Sequence, residues 1–193
     1  DEAVFAATLA DAPGARLAAG LPVSASPYAE LAVVRAMGEG AATGDPRAFA
    51  ALRKALGPSA DPGLVALAEQ AIAAAAAGLD DLDGCQAALA VADKASARPG
   101  VAPELRFDIL EKRLQISAFL DERGPGRAHL DALEALVPTL HSPFYAARLL
   151  LARGEFVAPL DARRAELDLR EAERLFAAHG YADWADLAGE AAR

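Results

Sequence analysis

Residues that usually carry chemistry are scarce in this chain. It has one cysteine, three histidines, one tryptophan and one methionine, and aromatics make up 6% of it. A single cysteine, Cys85, excludes an intramolecular disulfide and any cysteine-based metal site. In an alanine-rich setting it reads as a small buried apolar residue. His129, His141 and His179 have no second histidine or cysteine at ligand spacing, so no metal site is expected. His141, in a loop near Ser142 and Tyr145, is the histidine to test first. Val, Ile and Thr are few, which argues against a sheet. No apolar run approaches the roughly 20 residues that span a bilayer, the run Ala71 to Ala77 being far too short. No signal peptide is visible, so the expected location is the cytoplasm. The chain starts at Asp1 rather than Met, which points to a fragment or a processed product.

What is present is alanine, more than a quarter of all residues. It has the lowest cost of any residue in a helix, and it lets helices approach closely. The apolar fraction is 54% and the charged fraction 24%, a globular composition. The net charge is −9 and the pI about 4.8. Such a surface repels nucleic acid and anionic membrane, so neither is expected as a partner.

Pro and Gly cut the chain into about ten expected helices. Breaks fall at Pro13-Gly14, Gly20 to Pro27, Gly38 to Pro46, Gly57 to Pro62, Gly78 to Gly84, Arg98 to Pro103, Gly124-Pro125-Gly126, Pro138 to Pro143, Gly154 to Asp161, and Gly180. Asp45-Pro46, Asp61-Pro62 and Ser142-Pro143 read as N-cap followed by Pro in the first turn. The segment Pro103 to Asp121 has two apolar rows, Leu105, Ile109, Ile116, Phe119 and Phe107, Leu110, Leu114, as an inner helix needs. In Asp161 to Ala178 one face carries Ala165, Leu169, Ala172 and Phe176. Trp184, Leu187 and Ala188 give the last helix a single stripe, which suits a cap. The hairpins expected are Leu64–Ala77 with Asp83–Ala97, Pro103–Asp121 with Gly126–Val137, and Pro143–Arg153 with Asp161–Ala178. Ala88, Ala128 and Ala172 stand where a neighbouring helix must come close, recurring at roughly forty residues, in the range of helical-hairpin arrays.

With Ala172, Phe176, Gly180, Trp184 and Ala185 in place, the chain resembles the tetratricopeptide-repeat superfamily over about Leu64 to Arg193. The segment from Leu169 through Ala185 looks like the last repeats of the long-repeat variety. That variety occurs in bacterial signalling ATPases, LuxR-type activators and caspase-like (CHAT) protease proteins. The resemblance implies an all-α, right-handed superhelical array of antiparallel hairpins. It divides the chain into an N-terminal helical segment, residues 1–62, and repeats with a capping helix, residues 63–193. The first segment is a set of degenerate repeats, a cap, or part of an adjoining domain. Two departures stand beside it: the common repeat is about 34 residues, and the usual Trp, Gly and Tyr of the first helix are absent from most units.

No catalytic pattern emerges. Gly38-Glu39-Gly40 with Gly44 lacks the Gly-Lys-Ser/Thr of a phosphate loop. Asp80, Asp81 and Asp83 lack the twelfth-position Glu of a calcium loop and read as a helix cap. Glu104/Asp108 and Glu166/Glu173 fall on expected exposed faces, and no Gly-x-Ser-x-Gly elbow occurs. Arg106 and Arg113 lie seven apart on one helix, and Arg148 lies on the first helix of the next hairpin. If first helices line a concave groove, as the resemblance implies, these three clamp an acidic peptide or a C-terminal carboxylate. The bland alternative is intrahelical pairing of the arginines with Glu104, Asp108 and Glu111. The expected function is a non-enzymatic, cofactor-free scaffold that recognises a protein, a peptide, or other domains of the same polypeptide. The alternatives are a small-effector sensor controlling an attached ATPase, protease or activator, and an α-helical lyase or transglycosylase drawing on His141, Tyr145 or Tyr181.

Overall fold

The computed structural model describes residues 61–193, and the breaks expected before residue 61, with the Gly38–Gly44 loop, lie outside them. The only regular secondary structure of the described residues is α-helix: α1 (Pro62–Gly78), α2 (Leu82–Ser96), α3 (Pro103–Phe119), α4 (Arg123–Leu140), α5 (Pro143–Val157), α6 (Ala162–Ala178) and α7 (Ala182–Ala191). The described residues hold seven helices; the expected count of about ten covers all 193 residues. The chain divides into two compact units, Asp1–Leu105 and Arg106–Arg193.

Three of the expected breaks are displaced by a few residues: the chain turns at residues 120–122 and not at Gly124-Pro125-Gly126, and the breaks expected to open at Pro138 and at Gly154 open after Leu140 and after Val157. Gly124-Pro125-Gly126 lies in the first turn of α4, where the amide that Pro lacks has no intrahelical partner anyway. Pro138 sits inside the last turn of α4, which runs to Leu140 and ends at His141 in the left-handed region, φ 48°. Gly154 stays helical within α5, where the Leu169 side chain packs close against it.

In the first unit α1 packs on α2 almost wholly through small residues. Ala66, Ala68, Ala73 and Ala76 of α1 and Cys85, Ala88, Ala92 and Ala95 of α2 are buried, with Ile72 and Leu89 among them. Asp61 caps α1, its carboxylate accepting from Gly63 and Leu64 N–H. Asp81 caps α2 by accepting from Gly84 N–H, as read from the sequence.

The second unit has two apolar centres. One joins Phe107, Leu110 and Leu114 of α3, Leu130 and Leu133 of α4, and Ala152 and Phe156 of α5. The other joins Ala147 and Leu151 of α5, Leu169, Ala172 and Phe176 of α6, and Ala185 and Ala188 of α7. Helix α5 serves both. Burying each large side chain contributes roughly 1.5–3 kcal/mol, so Phe107 and Phe176, both fully buried, are major anchors. Three expected core positions instead face water: Phe119 (75% exposed), Leu187 (47%) and Ala128. The helix-contact role read at Ala128 belongs to Gly126. A Cβ there would stand 2.8 Å from Phe156 Cζ and 3.2 Å from Ser117 Cβ.

One hairpin turn recurs three times. Helices α1, α3 and α6 are each 17 residues. Two residues past each end lies a left-handed residue: Asp80 (φ 59°), Asp121 (φ 56°) and Gly180 (φ 81°). The next amide bonds six-to-one to the helix: Asp81 to Ala76 O (2.9 Å), Glu122 to Ser117 O (2.8 Å) and Tyr181 to Phe176 O (2.9 Å). The left-handed residue's own amide bonds back to Ala77, Ala118 and Ala177, each at 3.2 Å. This is the Schellman pattern, which satisfies carbonyls the helix end would leave orphaned. Burial repeats in the same register, at Ala68, Ile109, Asp168; Glu69, Leu110, Leu169; Ala76, Ser117, Phe176; and Cys85, Gly126, Ala185.

Candidate functional site

A buried polar arrangement in the second unit is built on Arg148, in the middle of α5. Its neighbours in sequence, Tyr145-Ala-Ala before it and Leu-Leu-Leu after it, force that turn of the helix into the core, and the arginine goes with them. Its guanidinium grips Glu111 of α3 with two bonds, Nε to Oε1 at 3.2 Å and Nη2 to Oε2. Nη1 lies 2.8 Å from Asp108 Oδ1. Side-chain exposure is 12% for Arg148 and 11% for Glu111.

Four aromatic rings enclose the same cation: Phe107 (4.9 Å to the centroid), Phe144 (5.5 Å), Tyr145 (5.6 Å) and Trp184 (5.5 Å). Cation–π contacts stabilise by about 0.5–2 kcal/mol, more when desolvated. The rings also pack edge-on, Phe107 to Tyr145 at 4.9 Å and Phe144 to Trp184 at 5.5 Å, and Phe144 continues to Phe176 and Tyr181. One arginine thereby ties α3, α5 and α7 together.

Burial pushes the Glu111 carboxyl above its ordinary value. The Arg148 hydrogen bond and charge pull it back, and Asp108 opposes them. Burial alone would lower the Arg148 pKa, but the hydrogen bond to Glu111 and the charges of Glu111 and Asp108 outweigh it and raise it. The cation is thus held in its charged state by internal carboxylates.

A second node joins α4, α5 and α6. Arg153 holds buried Asp168 with two bonds, 2.7 and 2.8 Å, and reaches Glu134 at 3.2 Å. The Asp168 hydrogen bond raises the Arg153 pKa, with burial opposing. Near the α3–α4 turn, Arg123 bonds Asp121 at 2.6 Å and donates to Phe156 O at 3.1 Å.

The three arginines singled out from sequence do not converge. Arg148 lies inside the α3–α5 contact. At 3.6 residues per turn, Arg106 and Arg113 fall on a different side of α3 from Phe107, Asp108 and Glu111. Both are half-buried. The Arg106 Nε is sealed from solvent and has no hydrogen-bond partner. Asp108, read as exposed, and Glu111 pair with Arg148 of α5. Pairing with neighbours on their own helix had been the expectation. Cys85 is buried. His141 is exposed, His179 caps the C-terminus of α6, and His129 is half-buried within α4. Among the described residues no cluster of three or more His, Cys, Asp or Glu could hold a metal ion, and no helix is long and apolar enough to cross a membrane.

The aromatic enclosure, with Glu111 as internal acceptor, was missed from sequence. A usable signal existed: an arginine inside an apolar helical run needs a buried acceptor, and Asp108 and Glu111 share a face with Phe107. No protein-family model, no curated protein and no solved structure matches the chain.

Proposed function

We propose that the chain is a helical-repeat recognition module of tetratricopeptide-like type. It binds a protein or peptide segment, from a partner or from another domain of its own polypeptide, and turns over no substrate. The observation that supports this reading is the thrice-used hairpin, with one turn geometry and one burial register on three unrelated stretches of sequence. Units built alike stack by contact with their neighbours and offer an extended surface, the architecture that repeat proteins use for recognition. In the setting that the resemblance implies, the module regulates an attached signalling domain.

Within this reading Arg106 and Arg113 offer the partner's carboxylate a clamp. Both side chains are half-buried and lie on one side of α3. Arg148 anchors the helix from which they project. The test is selection from a displayed library of peptides with acidic C-termini, followed by titration of the winners. Arg106→Ala with Arg113→Ala should weaken binding at least ~10-fold, about 1.4 kcal/mol, with the helical circular dichroism unchanged. Unaltered affinity would reject the clamp. Failure to select any peptide, with a metabolite instead raising the melting temperature, would favour the effector-sensor reading.

A further inference from the structure

We draw no further inference here: the strongest candidate, the outer face of α7 where Leu187 stands exposed among Asp183, Asp186 and Glu190, carries nothing, because nothing in the structure shows what covers it.

Discussion

Arg148 and Glu111 meet across α5 and α3 as a two-bond pair that is almost wholly withdrawn from water. The two partners are not equal in worth. Arg148 also touches four rings and Asp108, whereas Glu111's burial outweighs what the arginine returns to it. Arg148→Ala should therefore destabilise by about 3–5 kcal/mol, because it strands a buried carboxylate and empties the aromatic enclosure. Glu111→Gln keeps the shape and a hydrogen-bond acceptor, and Asp108 still balances the arginine, so its cost should be well under half of that. Urea unfolding of both variants measures the difference. Equal losses would show that the pair, and not the arginine's wider set of contacts, holds α3 to α5.

The same pair predicts a pH dependence. Glu111 is held above its ordinary 4.5 in the folded chain. Between 4.5 and the raised folded value, the folded state keeps a proton that the unfolded state has released. Stability therefore falls as pH rises through that window and is regained on acidification into it. Glu155 on α5 is pushed the same way, by desolvation and by the charge of Glu111. Asp108, Lys112 and Arg148 are the other charges acting on Glu111. Unfolding free energy measured against pH should show this slope in the wild type and a shallower one in Glu111→Gln. Parallel curves would remove Glu111 as the cause.

Much of the fold was legible because local signals agreed with tertiary packing. Asp61 and Asp81 cap the helices they precede, and the row Ala165, Leu169, Ala172, Phe176 is buried as its spacing demands. The errors have a common physical source. The breaks expected around Pro125, Pro138 and Gly154 are present but displaced by a few residues, because each of these residues sits where a helix tolerates it: an N-terminal turn, a final turn, a close helix contact. The repeat was sought through Ala88, Ala128 and Ala172. What recurs is a backbone turn and a burial register occupied by Cys85, Gly126 and Ala185, with an extra helix, α5, between the second and third copies. Few identities repeat, Asp80 with Asp121 and Leu110 with Leu169 among them, so periodicity in sequence could not show it. The candidate site was half legible. Arg148 was singled out, but its acceptors lie some forty residues earlier on another helix, and only the folded chain brings them to it.

Gly126 is where the α4 backbone passes the Phe156 ring and the Ser117 side chain. A methyl group here has no space, since both neighbours are buried and neither ring nor backbone can withdraw. Overpacking of this kind typically costs about 1–3 kcal/mol. Gly126→Ala should lose stability in that range, although alanine is intrinsically the better helix former by roughly 1 kcal/mol. Gly124→Ala, two residues earlier with nothing nearby, is the control and should be neutral or stabilising. A neutral Gly126→Ala would mean that α4 and α5 are not packed as closely as Phe156 indicates.

The recurring turn makes its own prediction, since its three left-handed positions carry two aspartates and one glycine. Gly180 adopts φ 81° without strain, while Asp80 holds φ 59° as a non-glycine residue. The left-handed conformation costs an ordinary residue about 1–2 kcal/mol, less for aspartate, whose short side chain tolerates it. Gly180→Ala should therefore destabilise by about 1 kcal/mol, with no neighbour to clash and strain as the sole cause. Asp80→Gly should be close to neutral, because relief of strain is offset by the greater freedom of glycine in the unfolded chain. Chemical denaturation of the two variants compares them directly. If Gly180→Ala were the harmless change and Asp80→Gly the costly one, the shared turn would not be what closes these hairpins.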